Sequence, residues 1–181
     1  MNREQKKPVV GIVMGSDSDF PIMEEAVKAL KSFDIPHEVR VISAHRAPAQ
    51  VMEYARTAEK RGLKVIIAGA GGAAHLAGII AAETTLPVIG VPIASSPLLG
   101  IDALLSTAQM PGGVPVATMA VGSAGARNAA IFSAQILSIH DGDVGHRLKQ
   151  FKASLEREVV AKDRAIAAKM KRSTRPPGGH G

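Results

Sequence analysis

Five short runs of strand length, four of them apolar, separated by segments of helical periodicity, constrain this chain more than any other feature of its sequence. The runs are Pro8 to Met14, His37 to Ile42, Val65 to Ala68, Pro87 to Val91 and Val114 to Val121. Each has the length of a strand and is bounded by glycine, proline or polar turn residues. Between the first two, Ile22, Met23, Ala26, Val27 and Leu30 recur as one helical face that ends near Phe33. Pro48 opens a second helix through Val51, Tyr54, Ala55 and Ala58, with Gly62 as its C-cap. Further helices are expected over Gly72 to Glu83, Ile101 to Gln109, Ser123 to His140 and Asp143 to about Lys171. Alternating strands and helices predict an α/β fold of three layers, a parallel sheet with helices on both faces. Ligands of such sheets bind beyond the carboxyl ends of the strands.

Charge is distributed unevenly. The chain carries 22 Lys and Arg against 16 Asp and Glu, a net charge of +6. Residues 1–148 hold 13 of each sign, so the whole excess lies in residues 149–181. A neutral body with one Tyr, four Phe and no Trp offers neither the basic face nor the aromatic stacking of a nucleic-acid binder, so no nucleic-acid partner is expected. The chain has no cysteine, which excludes disulfides, thiolate catalysis and Cys-ligated metals. The six-residue apolar run Val9 to Met14 is too short for a signal sequence, and a cytoplasmic protein is expected. From Val65 to His140 the only formal charges are Glu83, Asp102 and Arg127. Within this stretch, Val65 to Ala82 carries none, but its four glycines and His75 point to a strand, a turn and a buried helix rather than a membrane span. So little charge over three helices predicts a homo-oligomer, with the small-residue helices Gly72 to Glu83 and Ser123 to Ile139 near its centre.

Four loops follow strands and should meet at one sheet edge: Gly15–Asp19, Ser43–Arg46, Gly69–His75 and Pro92–Gly100. Gly15-Ser16-Asp17-Ser18-Asp19 leads into a helix N-terminus, where unpaired amides favour an anion and serines add hydroxyl donors. Two aspartates repel phosphate, so at least one of them suits sugar hydroxyls; an ordinary helix cap is the competing explanation. His45 can move a proton near neutral pH, and Arg46 can grip a phosphate or carboxylate through paired hydrogen bonds. Gly69-Ala-Gly71-Gly-Ala-Ala74 matches a dinucleotide fingerprint, but it follows the third strand and the next strand ends without an acid. Ala70 to Gly72 are therefore expected to present backbone to a small ligand. His75 is either a satisfied core histidine or a pocket residue. No His, Asp and Glu cluster has the spacing of a metal site, so no metal is expected.

Together these loops resemble those of the class I N5-carboxyaminoimidazole ribonucleotide mutases of bacterial purine synthesis. The resemblance rests on Met14-Gly-Ser-Asp-Ser-Asp19, Ser43-Ala-His-Arg46, Ala68-Gly-Ala-Gly-Gly-Ala-Ala-His-Leu76 and Gln109-Met-Pro-Gly-Gly-Val-Pro115, and covers roughly residues 8 to 155. It implies a flavodoxin-like catalytic domain over 1–155, an octamer and no cofactor. It also implies a reaction that moves a carboxylate from N5 to C4 of an aminoimidazole ribonucleotide. Carried over by position, His45 becomes the general acid and base. Ser16, Ser18, Asp19, Ser43 and Arg46 bind the phosphoribosyl part, and Ala70, Gly71 and His75 line the ring and carboxylate pocket. The sister carboxylases typically have Lys after the catalytic His and lack the Gly-Gly-Ala-Ala-His run; Arg46 and Gly71 to His75 favour the mutase. Ala77 departs from the proline usual in the family. Residues 156–181 lie outside the resemblance, as the end of the last helix and a basic tail whose composition predicts disorder.

Overall fold

The structure, a computed structural model, describes residues 7–173. The elements in chain order are β1 (Val10–Met14), a 3-10 turn (Asp17–Asp19), α1 (Phe20–Ser32), β2 (His37–Val41), α2 (Pro48–Ala58), β3 (Val65–Gly71) and α3 (Leu76–Glu83). They continue with β4 (Val88–Ile93), α4 (Ile101–Ala108), β5 (Ala117–Thr118), α5 (Ser123–Ser138) and α6 (Gly142–Ser173). The strands form one all-parallel sheet in the order β2-β1-β3-β4-β5. This is the flavodoxin-like order, with its topological switch between β1 and β3.

The apolar runs are continuous because both sheet faces are covered, and the pleat still sorts them. Ile12, Met14, Ile67 and Val91 point to α1, α5 and α6, while Val13, Ile66, Ala68 and Val88 point to α2 and α3. Ile12, Ile66, Ile67 and Ile89 are fully buried. Burial of each such side chain stabilises the fold by roughly 1.5–3 kcal/mol. Gly69 is a packing requirement, since a Cβ there would strike the Met23 thioether that α1 lays over the sheet. At the β2 edge, Tyr54 donates to Glu38 (2.8 Å), and Arg61 pairs with the same carboxylate (2.6 Å) while lying over the Tyr54 ring.

The sequence-based boundaries shift at four places. β3 runs three residues further than expected and β4 two, because they pair with each other as far as Gly71 and Ile93. α3 begins at Leu76, not Gly72; Gly72 sits at φ +59° and turns the chain out of the strand first. β5 shrinks from Val114–Val121 to two residues. Pro111 and Pro115 can donate nothing to a ladder, so the chain pairs with β4 at Ala117 and Thr118 and beyond them meets it through Met119 N–H to Gly90 O (2.9 Å) and Gly122 N–H to Pro92 O (2.9 Å). A further change concerns the packing of α5. Its alanines Ala126, Ala129, Ala130 and Ala134 have no exposed surface and pack in the chain's own core with α1. The expectation that this face meets another subunit is therefore wrong for these residues. Exposed apolar side chains include Leu98, Leu99, Ile101 and Leu105 beside the β4–α4 connection, Val39 and Val41 on the edge strand, and Phe132 and Ile139 off the buried alanine face of α5. Among the described residues no helix is long and apolar enough to cross a membrane. The tail from residue 174, expected to be disordered, lies outside the described residues.

Ala130→Glu therefore tests the fold of the single chain. A carboxylate buried without a partner costs on the order of 3–5 kcal/mol. The denaturation midpoint of the variant should fall steeply in urea or guanidinium. A midpoint unchanged while the oligomer dissociates would return Ala130 to a subunit contact.

Candidate active site

The loops after β1, β2, β3 and β4 converge on a cavity of about 430 Å³. Its lining includes Ser16, Ser18, Asp19, Ser43, His45, Arg46, Ala70, Gly71 and His75, so every site residue expected from the sequence is brought to one place. A larger cavity of about 560 Å³ lies at the other end of the sheet, among Val9, Asp34, Lys64, His140 and Arg147. It gathers both signs of charge without a converging donor set, and it lies before the strands rather than beyond them. The polar loops mark the smaller cavity as the candidate site.

The first loop is built by local capping. Ser16 Oγ accepts from the Ser18 amide (3.3 Å) and from Ser18 Oγ (2.8 Å), while the Ser16 amide donates to Asp19 Oδ2 (3.2 Å). These bonds wind residues 17–19 into a 3-10 turn that feeds α1 directly. Asp19 is only 6% exposed. Burial raises its pKa above the ordinary aspartate range and the Asp17 charge adds to this, against the opposing pull of the Ser16 amide bond. A half-desolvated carboxylate of this kind is an acceptor for hydroxyl groups and a poor neighbour for phosphate.

Arg46 ties the second loop to the first. Ser43 Oγ accepts from its backbone amide (3.2 Å) and its Nε (3.3 Å), and its Nη2 donates to Gly15 O (3.2 Å). The guanidinium is thus held at the mouth of the Ser16–Asp19 turn, where serine hydroxyls and a cation face the same space. That combination binds an anionic group.

The third loop carries His75, whose Nδ1 lies 2.8 Å from His45 Nε2. The two rings meet edge to face at 87°, with centroids 4.9 Å apart. One nitrogen must donate and the other accept, so one proton sits between two rings and both cannot donate there at once. His75 is exposed to the cavity and stands at the N-cap position of α3 with its side chain making no capping bond, so the core-histidine explanation fails. Its loop is braced from beneath: the Ala74 amide donates to Ser106 Oγ (3.1 Å) on α4, and that hydroxyl donates to Asp102 O (2.9 Å). Gly71 forms the wall beside it. A Cβ at that position would strike Ser95 Oγ and come within 2.9 Å of Ile93 O.

Two residues escaped the sequence reading. Ser95 lines the cavity from the end of β4; the Pro92–Gly100 loop was expected at this edge, but nothing in it singled out one serine. Ser106 gave no signal, since it acts across the fold from mid-helix. Ala77 is the buried second residue of α3, a first-turn position where proline is tolerated. Among the described residues no three His, Asp or Glu side chains are grouped as metal ligands would be.

Known proteins are similar to this chain. The sequence profile described as AIR carboxylase matches residues 9–158. The N5-carboxyaminoimidazole ribonucleotide mutase of Pyrococcus abyssi is 57% identical over 150 residues, which cover 83% of this chain and 85% of that protein. The mutase of Bacillus subtilis is 54% identical over 154 residues, covering 85% and 95%. The crystal structure of Treponema denticola PurE superposes with a TM-score of 0.79 at 28% identity, covering 88% of this chain and 98% of that one. With the match spanning its sheet, all four site loops and the first turns of α6, this chain belongs to the AIR carboxylase family.

Proposed function

We propose that this chain is an N5-carboxyaminoimidazole ribonucleotide mutase of purine biosynthesis, with His45 as its general acid and base. The observation that carries this reading is the His45–His75 pair set within 2.8 Å at the mouth of a cavity whose other side holds Arg46 and the Ser16–Asp19 turn. Arg46, Ser16, Ser18 and Ser43 take the phosphate end of the ribonucleotide, and Asp19 takes ribose hydroxyls. Ala70, Gly71 and His75 enclose the ring and its carboxylate. Proton transfer from His45 to N5 breaks the N–C bond, whose electrons return to nitrogen, and CO2 is released into the pocket. The enamine-like C4 then attacks CO2 and forms the C–C bond. The proton on C4 leaves to His45, which returns the enzyme to its starting state with no net change in atoms or charge. One imidazole that gives and then takes a proton suffices, and the hydrogen bond to His75 fixes its ring for both steps.

Assembly belongs to the same proposal. His45, Arg46 and His75 are all exposed in the single chain, and Leu98, Leu99, Ile101 and Leu105 form an exposed apolar patch following the loop that carries Ser95. A cytoplasmic homo-oligomer, an octamer as the family resemblance implies, would cover that patch and restrict escape of CO2.

The direct test supplies purified protein with N5-carboxyaminoimidazole ribonucleotide, without ATP or added metal, and follows the C-carboxylated product. His45→Asn should lower kcat by about 10²–10⁴-fold or more while leaving ribonucleotide binding intact; a variant within tenfold of the parent removes His45 from the chemistry. Arg46→Lys keeps the charge but loses the forked geometry, so KM should rise more than kcat falls. Equal affinity for the nucleotide and its dephosphorylated nucleoside would refute a phosphate role for Arg46.

Asp19 also makes a prediction about stability. Its native pKa lies above the unfolded value, so across that window the native state holds more proton than the unfolded chain. Its favourable contribution is present below the ordinary aspartate pKa and is lost as pH rises through the native value. Asn keeps the acceptor for the Ser16 amide and carries no charge. Relative to the parent, Asp19→Asn should therefore gain stability as pH is raised from about 3 to about 6. A difference in melting temperature that does not vary with pH would contradict this.

A further inference from the structure

The face that seats α6 on the body does not end where the body ends. Val144 and Leu148 are buried, and Phe151 meets Phe33 edge to face at 5.4 Å. The same stripe continues through Leu155, Val159, Ile166 and Met170, repeating every eleven residues from Val144 and Leu148. Eleven residues close three helical turns, so these side chains stay on one side of a nearly straight helix. Every residue from Leu155 to Met170 is nevertheless exposed, with Val159 at 66%, Ile166 at 62% and Met170 at 59%. The family profile stops at residue 158, so most of this exposed stripe lies beyond the segment that the profile matches.

The spacing of the stripe says what fits it. Leu155 and Met170 are equally far from the midpoint between Lys162 and Asp163, and so are Val159 and Ile166. A two-fold axis through that midpoint, perpendicular to the helix, lays Leu155 on Met170 of a second copy and Val159 on its Ile166. Lys162 flanks the stripe on one side and Asp163 on the other, so each meets its own copy beside the axis; these two like-charge contacts oppose the pairing that the apolar stripe favours. Glu158 falls on the same flank as Lys169 of the second copy. Charge also selects this direction. Residues 152–163 hold three basic and three acidic residues, whereas residues 164–173 hold four basic and no acidic ones. Parallel pairing would set the basic half against itself; antiparallel pairing sets it against the balanced half.

We propose that residues 155–170 form an antiparallel, two-fold symmetric helix pair with a second copy of this chain. The stripe is about 23 Å long at 1.5 Å per residue, shorter than a stable interface needs by itself. It therefore clasps chains already brought together by other contacts, where the effective concentration is high. This inference is independent of the chemistry proposed for the cavity.

The absence of cysteine from the chain makes the test clean. Single variants Lys162→Cys, Leu155→Cys and Arg164→Cys, the last on the far side of the helix, are oxidised mildly and run on a non-reducing gel. Lys162→Cys, next to the axis, should form a disulfide-linked species of twice the 18.8 kDa chain mass at least tenfold faster than the other two. The double variant Leu155→Cys/Met170→Cys should link as well, while Leu155→Cys alone should not. Adding Val159→Glu and Ile166→Glu to Lys162→Cys should abolish the link, with activity retained as the check on folding. Rapid linkage through Leu155→Cys alone would show a parallel pair and overturn the proposal. Lys162→Cys linking no faster than Arg164→Cys would overturn it too, leaving the stripe to some other surface.

Discussion

The pairing of β3 between β1 and β4 is the constraint on which the rest of this structure depends. On one side β1 follows β3 only to Gly69, whose carbonyl accepts the last bond, from Gly15 N–H (3.3 Å). On the other side β4 follows β3 two residues further, to Gly71 and Ile93. The sheet edge is therefore a step. The β1 and β2 loops leave early and lie low, and the ends of β3 and β4 rise beside them as a wall. The cavity is the space above the lower half of that step. Gly71 keeps the wall thin enough for Ser95 to pack behind it, and Gly69 lets α1 close on the sheet beneath. A side chain at either glycine would shift the strand ends that carry the loops, so the site's geometry is fixed in the sheet before any polar residue contributes.

On that scaffold the polar contacts act mostly between loops. Arg46 reaches from the β2 loop to the Gly15 carbonyl, and His45 from the same loop to His75 after β3. Each bond spans two connections that the chain makes some thirty residues apart. Ser106 extends the brace into α4 through the Ala74 amide. Neighbouring residues in one short segment, Ser43 to Arg46, thus hold both ends of the cavity. This explains why imidazole and guanidinium sit adjacent in sequence but face different partners.

The layered fold was legible because buried parallel strands need uninterrupted apolar runs, and those runs are short and well bounded here. That the nine candidate residues share one cavity was legible because they lie at strand ends or in the loops that follow them, where the architecture leaves only one edge to share. What stayed hidden was relational. β5 looked like a strand of eight residues from its apolar content, yet Pro115 within it and Pro111 before it leave two rungs. The alanines of α5 announced a close helix contact correctly but not with which helix. Small side chains permit the same approach within a chain or between chains, and here α1 of the same chain fills the place. The scarcity of charge between Val65 and His140 was in the same way mostly a sign of burial in cis, with exposed apolar side chains left at Leu98 to Leu105, Phe132 and Ile139. The pairing of His45 with His75 was also beyond the sequence, since it needs the three extra residues of β3 that carry His75 clear of the helix.

The exposure of the reacting groups follows from the same step. A cavity walled on one side by strand ends and floored by low loops is open above, so the single chain cannot by itself keep a small neutral molecule such as CO2 from leaving. Enlarging the loops would close it, but each loop is already tied to another: the Ser16–Asp19 turn to Arg46, and the His75 loop to His45 and Ser106. Movement of either would break the contacts that set the chemistry. Closure without that loss must come from outside these loops, and the bare apolar surface at Leu98, Leu99 and Ile101 begins three residues after Ser95, at the rim. Leu99 even holds a positive φ of 53° there, a conformation leucine rarely adopts. In the assembly proposed above, a rigid interior and a rim finished by a neighbouring copy divide the work so that neither element has to move against the other.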